Sequence, residues 1–212
     1  MAISFDNANQ QFLSSTSSNS FSFTNAGNIM FFGIGVRPGD PINAPTYNGV
    51  SGTLIGQEAV STFFKVYLYY LLNPTAGANT AVASYTSATD QIYFSVVSYK
   101  SAKQSGQPDA SNITTQSSGT TFTQSVTTVA NNCWTVQYVF CNSGGLSAST
   151  GSTLRGSILN SSVSAFFDSN GAITPAGSTS MVTNSGNGIT SGVIASFSPL
   201  AATANSDFLA FM

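Results

Sequence analysis

The sequence predicts an all-β protein, an antiparallel β-sandwich of jelly-roll-like type. Three observations carry this. Apolar residues recur with period two, or in short unbroken runs, in many short segments. Clusters of Ser, Gly, Asn and Pro separate those segments. Charged residues make up only 6% of the chain, so no window holds the Glu and Lys that line solvent-facing helices.

Residues 1–18 are polar and mixed, with isolated Ile3, Phe5, Phe12 and Leu13, and are expected to form an N-terminal arm or irregular strand. A sandwich domain is expected over 19–200, followed by an apolar tail over 201–212. SFSFT at 20–24 sets Phe21 and Phe23 on one face, and NAGN supplies a turn. IMFFGIGV at 29–36 is an apolar strand whose glycines permit a bulge or close packing. RPGDP at 37–41 is dense in turn formers, and Asn48-Gly49 is a hairpin signal. A return strand begins over 53–55.

TFFKVYLYYLL at 62–72 is rich in aromatic and β-branched residues. Phe64, Val66, Leu68 and Tyr70 share one face; Phe63, Lys65, Tyr67, Tyr69 and Leu71 share the other. Two strands follow, near 79–86 and 91–99. In the second, Ile92, Phe94 and Val96 oppose Tyr93, Val97 and Tyr99. Residues 100–120 resemble a surface loop leading into a hydroxyl-rich strand, and Phe122, Gln124 and Val126 alternate weakly. The run 133–141 places Trp134, Val136, Tyr138 and Phe140 together. Short strands near 153–159, 161–167 and 190–197 bring the total to about eight to ten. Few charges protect their edges, which favours an oligomer or covering loops.

The 212 residues fit one all-β domain, and 42% apolar content with sixteen Phe supplies a core. Such composition is unlike that of disordered chains. A net charge of −2 provides no cationic footprint for nucleic acid. It also provides little of the self-repulsion that keeps monomers apart. The most apolar run, 63–72, contains Lys65 and falls short of the ~20 residues of a membrane helix. The first twenty residues lack a basic segment followed by a sustained apolar run, so synthesis in the cytoplasm without a cleaved signal peptide is expected. Cys133 and Cys141 flank one strand. At ~3.3 Å per residue they stand roughly 26 Å apart, far outside disulfide reach, and are read as buried free thiols.

No catalytic, metal or cofactor site is expected, and the chain is read as a non-enzyme. Its serines have no His to activate them, and no feature pairs Lys65, Lys100 or Lys103 with a particular Ser. Asp6, Asp40, Glu58, Asp90, Asp109, Asp168 and Asp207 are scattered, no two within four residues. DPIN at 40–43 and DSNG at 168–171 lack EF-hand spacing and read as turns. Asn112-Ile-Thr and Asn160-Ser-Ser match glycosylation acceptors by composition alone. Trp134 is a core residue. Tyr67, Tyr69, Tyr93 and Tyr99 are candidates for an outer aromatic face, serving sheet packing, a subunit interface or a carbohydrate platform. Phe208, Leu209, Phe211 and Met212 are candidate assembly contacts, either sealing their own sandwich or docking on a neighbour.

The order of signals resembles a family of β-sandwich modules found in phage structural and fibre proteins and in multidomain surface proteins of bacteria. The matching text is IMFFGIGV at 29–36, TYNGV at 46–50, YLLNPTAGANTAVASY at 70–85, IYFSVVSYK at 92–100, CWTVQYVF at 133–140 and SGVIASFSP at 191–199. The resemblance covers about residues 19–200. It implies a noncatalytic virion structural protein, whether capsid, decoration, spike or fibre component. The implied partners are copies of itself or other virion proteins. The alternative is a carbohydrate-binding or host-attachment module. The additional N-terminal residues and the end DFLAFM depart from the family pattern.

Overall fold

A computed structural model describes residues 1–37 and 42–201, with the backbone alone for 87–90. Among the described residues there is no helix. The strands are β1 (Ser4–Asn25), β2 (Ile29–Arg37), β3 (Thr46–Tyr47), β4 (Val50–Ser51), β5 (Thr53–Ala59), β6 (Lys65–Leu72), β7 (Gly77–Lys100), β8 (Ala110–Gln116), β9 (Thr121–Thr127), β10 (Trp134–Cys141), β11 (Leu146–Ala148), β12 (Thr153–Leu159), β13 (Val163–Asp168), β14 (Ser178–Ser185) and β15 (Thr190–Phe197). They form three sheets. The first has the order β4-β3-β7-β2-β6-β5, with β1 also on β7; the second is β12-β13-β10-β15-β8; the third is β11-β14-β9. The ladders joining them are antiparallel.

The first sheet is folded over and nearly closed into a barrel. β1 follows β7 from Ser4↔Lys100 to Asn25↔Gly77. The opposite edge of β7 serves β2 over its second half and β3 near its start. The β1–β7 register skips between Thr16 and Ser18, beside Ser15 with its left-handed φ of 54°. Such irregularities bend strands, and here they bring the two halves of the sheet face to face. Phe23, Tyr47, Ala81 and Tyr85 from one half thus meet Phe32, Ile34, Tyr67, Tyr69 and Phe94 from the other.

A second core lies between the first and second sheets. Phe31, Val66, Leu68, Tyr93 and Tyr99 pack there with Trp134, Val136, Tyr138, Phe140 and Phe197. A third separates the second and third sheets, where Val139, Phe167 and Ile194 meet Phe122, Val126 and Met181. Strands β10, β13 and β15 are buried at every residue, and β2 at all but Arg37. Each fully buried Phe contributes ~1.5–3 kcal/mol, so two-sided burial supplies much of the stability. Close approach depends on two glycines. The rings of Tyr138 and Phe140 lie against Gly33 and Gly35, where a Cβ would collide with them. In the β3–β4 hairpin Asn48 and Gly49 have φ of 50° and 77°, as a type I′ turn requires.

The architecture extends the expected sandwich to three stacked cores. Residues 4–25, expected as an arm or irregular strand up to residue 18, form one bulged strand. The strands expected near 79–86 and 91–99 are a single strand, β7. β11 and β14 were not expected.

Unpaired edges are closed by a recurring asparagine device. Asn7 Oδ1 accepts the Ala8 N–H at 2.9 Å and its Nδ2 donates to the Thr24 carbonyl at 2.7 Å. Asn9 does the same with the Gln10 N–H, at 2.9 Å, and the Ser22 carbonyl, at 3.2 Å. These amides therefore stitch the first half of β1 to its second half. Asn112 joins the second sheet to the third in the same way, through the Ile113 N–H at 2.8 Å and the Ser125 carbonyl at 2.9 Å. The N-terminal end of β1 is further held by Asp6. Burial would raise its pKa, but the Ala26 N–H, the Ser98 hydroxyl and Lys100 together hold it below the ordinary carboxylate value. Asn9→Ala and Asn112→Ala should each lower stability by ~0.5–1.5 kcal/mol. Amide exchange should quicken at Gln10 or Ile113 respectively. Unchanged exchange at these amides would show that the stitching is dispensable.

Candidate functional site

Tyr67, Tyr69, Tyr93 and Tyr99 do not form an outer face. All four are buried, the most exposed being Tyr69 at 6%. Their faces are those expected from parity, but a layer covers each face. Tyr67 and Tyr69 point into the barrel core, because the sheet folds over them. Tyr93 and Tyr99 point toward the second sheet, where Tyr93 meets Phe140 edge-on at 5.1 Å and Tyr99 meets Trp134 at 5.9 Å. An open carbohydrate platform on these rings is therefore excluded by their burial. Phe208, Leu209, Phe211 and Met212 lie outside the described residues.

Tyr99 also belongs to a buried polar cluster linking the sheets. Its hydroxyl donates to Asp168 Oδ2 at 2.9 Å, and Arg155 Nε approaches the same oxygen at 2.6 Å. The Arg155 guanidinium sits 4.3 Å from the Phe5 ring centroid and donates to Asn170 Oδ1 at 2.6 Å. Asp168 Oδ1 accepts the Asn170 N–H at 2.9 Å, so DSNG forms an Asx-type turn. Burial, followed by the Asp168 charge, pushes Tyr99 well above the usual tyrosine range. Every polar atom named here is matched within the cluster, which makes it a tie between layers.

A second cluster stands where β15 ends. Ser198 Oγ donates to Asp109 Oδ2. Cys133 Sγ donates to the same carboxylate oxygen at 3.4 Å, and Gln107 Nε2 donates to Asp109 Oδ1 at 3.2 Å. Burial raises the Cys133 thiol, opposite to the shift that activates a nucleophilic cysteine. Cys133 and Cys141 are free thiols at opposite ends of β10. Among the described residues, no three His, Cys, Asp or Glu side chains are grouped to hold a metal.

Two depressions are the candidate binding surfaces. A groove of about 850 Å³ lies beside Ser198, between residues 1–3 and the 198–201 segment, with Lys103, Ala130 and Asn131 on its walls. A cleft of about 290 Å³ runs along the β8–β9 junction, lined by Ser111, Asn112, Ser125, Thr127 and Ser178. No sequence signal marks either, because each joins segments distant along the chain. The long alternations at 121–127 and 178–185 place short polar side chains outward: the hydroxyls of Thr121, Thr123, Ser125 and Thr127 are exposed on β9, and on β14 those of Ser178 and Ser180 together with the Asn184 amide. The Ser125 and Ser180 hydroxyls are hydrogen-bonded at 2.8 Å.

Arg155→Met should destabilise the protein by ~3–5 kcal/mol by leaving Asp168 uncompensated. Adding Asp168→Asn should recover part of that loss in a denaturant double-mutant cycle. Additive effects would mean that the pair is not coupled. No family model matches the chain, and neither does any curated protein or solved structure.

Proposed function

We propose that the chain is a noncatalytic virion structural protein, a capsid, decoration, spike or fibre component acting through contacts with its own copies or other virion proteins. The observation that carries this reading is the character of the outward faces. On the barrel's outer half Ser18, Ser20, Ser22 and Thr24 of β1 are exposed. At the opposite end of the stack the exposed hydroxyls of β9 and β14 form a comparable array. These faces carry short, uncharged side chains. They meet neighbouring protein with little loss of side-chain entropy and without like-charge repulsion. Stacked sheets behind them resist deformation. A jelly-roll-like topology, the phage-module resemblance, and synthesis in a host cytoplasm followed by incorporation into a virion belong to this reading. Light scattering with electron microscopy of the same sample tests it. Shells, tubes or defined oligomers are expected. A monomer at high concentration, alone and with candidate virion proteins, would count against it.

A carbohydrate-binding or host-attachment role is favoured by one feature, the β8–β9 cleft. Its hydroxyls match the hydrogen-bonding groups of a sugar. Glycan-array binding that is lost in Thr127→Lys is the expected outcome for that role. An array without signal, or signal unaffected by the substitution, speaks against it.

A further inference from the structure

We propose that Gln107 and Ser198 form an internal ester: the Ser198 hydroxyl displaces ammonia from the Gln107 carboxamide, and Asp109 carries the proton. The product is a covalent tie between side chains 91 positions apart in the chain. The proposal goes beyond the virion reading and does not depend on it. Three observations carry it.

The first is the placement of the reacting groups. Asp109 holds both partners, one on each oxygen: Ser198 Oγ donates to Oδ2, and Gln107 Nε2 donates to Oδ1 at 3.2 Å. Gln107 Oε1 accepts the Ser198 N–H at 3.3 Å. Both polar atoms of the carboxamide therefore have partners that fix its orientation. A carboxylate bonded to a hydroxyl stands as its base. A backbone N–H on the carbonyl oxygen stands ready for the oxyanion that attack creates. As in serine hydrolases, the nucleophilic residue supplies such an N–H itself. Cys133 donates to the same Asp109 oxygen as Ser198, and burial keeps its thiol protonated. It therefore serves as a donor, and the hydroxyl is the nucleophile.

The second is how firmly the pair is held. Ala102 bridges to Pro199, and the N–H groups of Leu200, Lys103 and Asp109 donate to the carbonyls of Ser101, Ser198 and Ser196 at 2.8–2.9 Å. These bonds clamp the segment before β8 against the end of β15, so the groups meet without a conformational search. The third is burial. Gln107 and Ser198 are each 6% exposed, and Cys133 is fully buried beside them. Little water reaches the carbonyl to compete with the hydroxyl or to hydrolyse the product. The step balances within the cluster. Ser198 Oγ bonds to Gln107 Cδ while its proton passes to Asp109. The Cδ–Nε2 bond then breaks, the carboxyl group returns the proton to Nε2, and ammonia leaves. Asp109 ends as the carboxylate it began as, and the chain loses one ammonia and nothing else.

The test is the intact mass of the full chain, kept folded at neutral pH until the mass no longer changes, followed by tandem mass spectrometry of its peptides. A mass lower by one ammonia is expected, with a branched peptide joining Gln107 to Ser198. Hydroxylamine should open the link and leave a hydroxamate at Gln107. Ser198→Ala should abolish the deficit, and Asp109→Asn should slow its appearance by about a hundredfold or more. A full mass in the unsubstituted chain would overturn the proposal whatever the variants do. A deficit mapped to an Asn-Gly pair such as Asn48-Gly49, which also loses ammonia when it cyclises, would overturn it too. So would a deficit that survives Ser198→Ala and disappears in Cys133→Ala, since the thiol would then be the nucleophile.

Discussion

A strand edge presents a row of backbone N–H and C=O groups that needs partners, and this fold depends on closing those rows with very little charge. Proteins commonly guard edges with lysine, but this chain has five Lys and Arg in total. Asparagine meets the need because one amide both donates and accepts. Asn7 and Asn9 each take up an edge N–H and give a proton to the carbonyl across the seam. Asn112 repeats the arrangement between two different sheets. These residues join edges that would otherwise be open to foreign strands.

Edge closure and layer stacking support each other. Once the first sheet folds over, its inner strands are covered on both faces, and so are those of the second sheet. Most side chains of these strands are apolar, and several of the polar ones are matched between layers. Gln137 donates to Gln124 at 2.9 Å, and Gln124 donates to the Gly192 carbonyl at 2.8 Å. Asp168 is matched by Arg155 and Tyr99. Polarity is thereby pushed to the outermost faces, where the exposed side chains are mostly hydroxyls. The low charge of the sequence and the short hydroxyl side chains of its outer strands fit the same construction.

The strands with apolar signals were legible in the sequence, and so were the faces of their residues. Tyr67 and Tyr93 do point in the directions parity assigns. What parity does not contain is the number of layers, so it could not show that both directions lead into a core. β1 was legible only in part. SFSFT at 20–24 alternates, but the Ser, Asn and Gln residues before it have no apolar period. Residues 1–18 therefore read as an arm or irregular strand, and the continuity of the strand did not show. It is a strand because β7 pairs with it along its length. The residues between the two halves of β7 look like a turn, yet both halves stay on one strand because β1 continues beside them. The groove and the β8–β9 cleft were invisible for a related reason, since each is assembled from segments far apart in sequence. The Asx-type turn at Asp168 was legible, being local. Its partner Arg155 lies across a strand pairing and was not.

The pairing of β1 with β7 has a consequence for the order of events during synthesis. Ser4 pairs with Lys100, so the first strand has no completed ladder until the chain has grown well past it. At translation rates of ~5–20 residues per second, the interval is about 5–20 s. Throughout it, a long strand with unpaired groups on both sides is present before its partner exists. Contacts this distant along the chain also slow folding. The polar sequence of β1 suits that interval: a strand that waits for its partner gains by holding few apolar side chains to offer to another nascent chain.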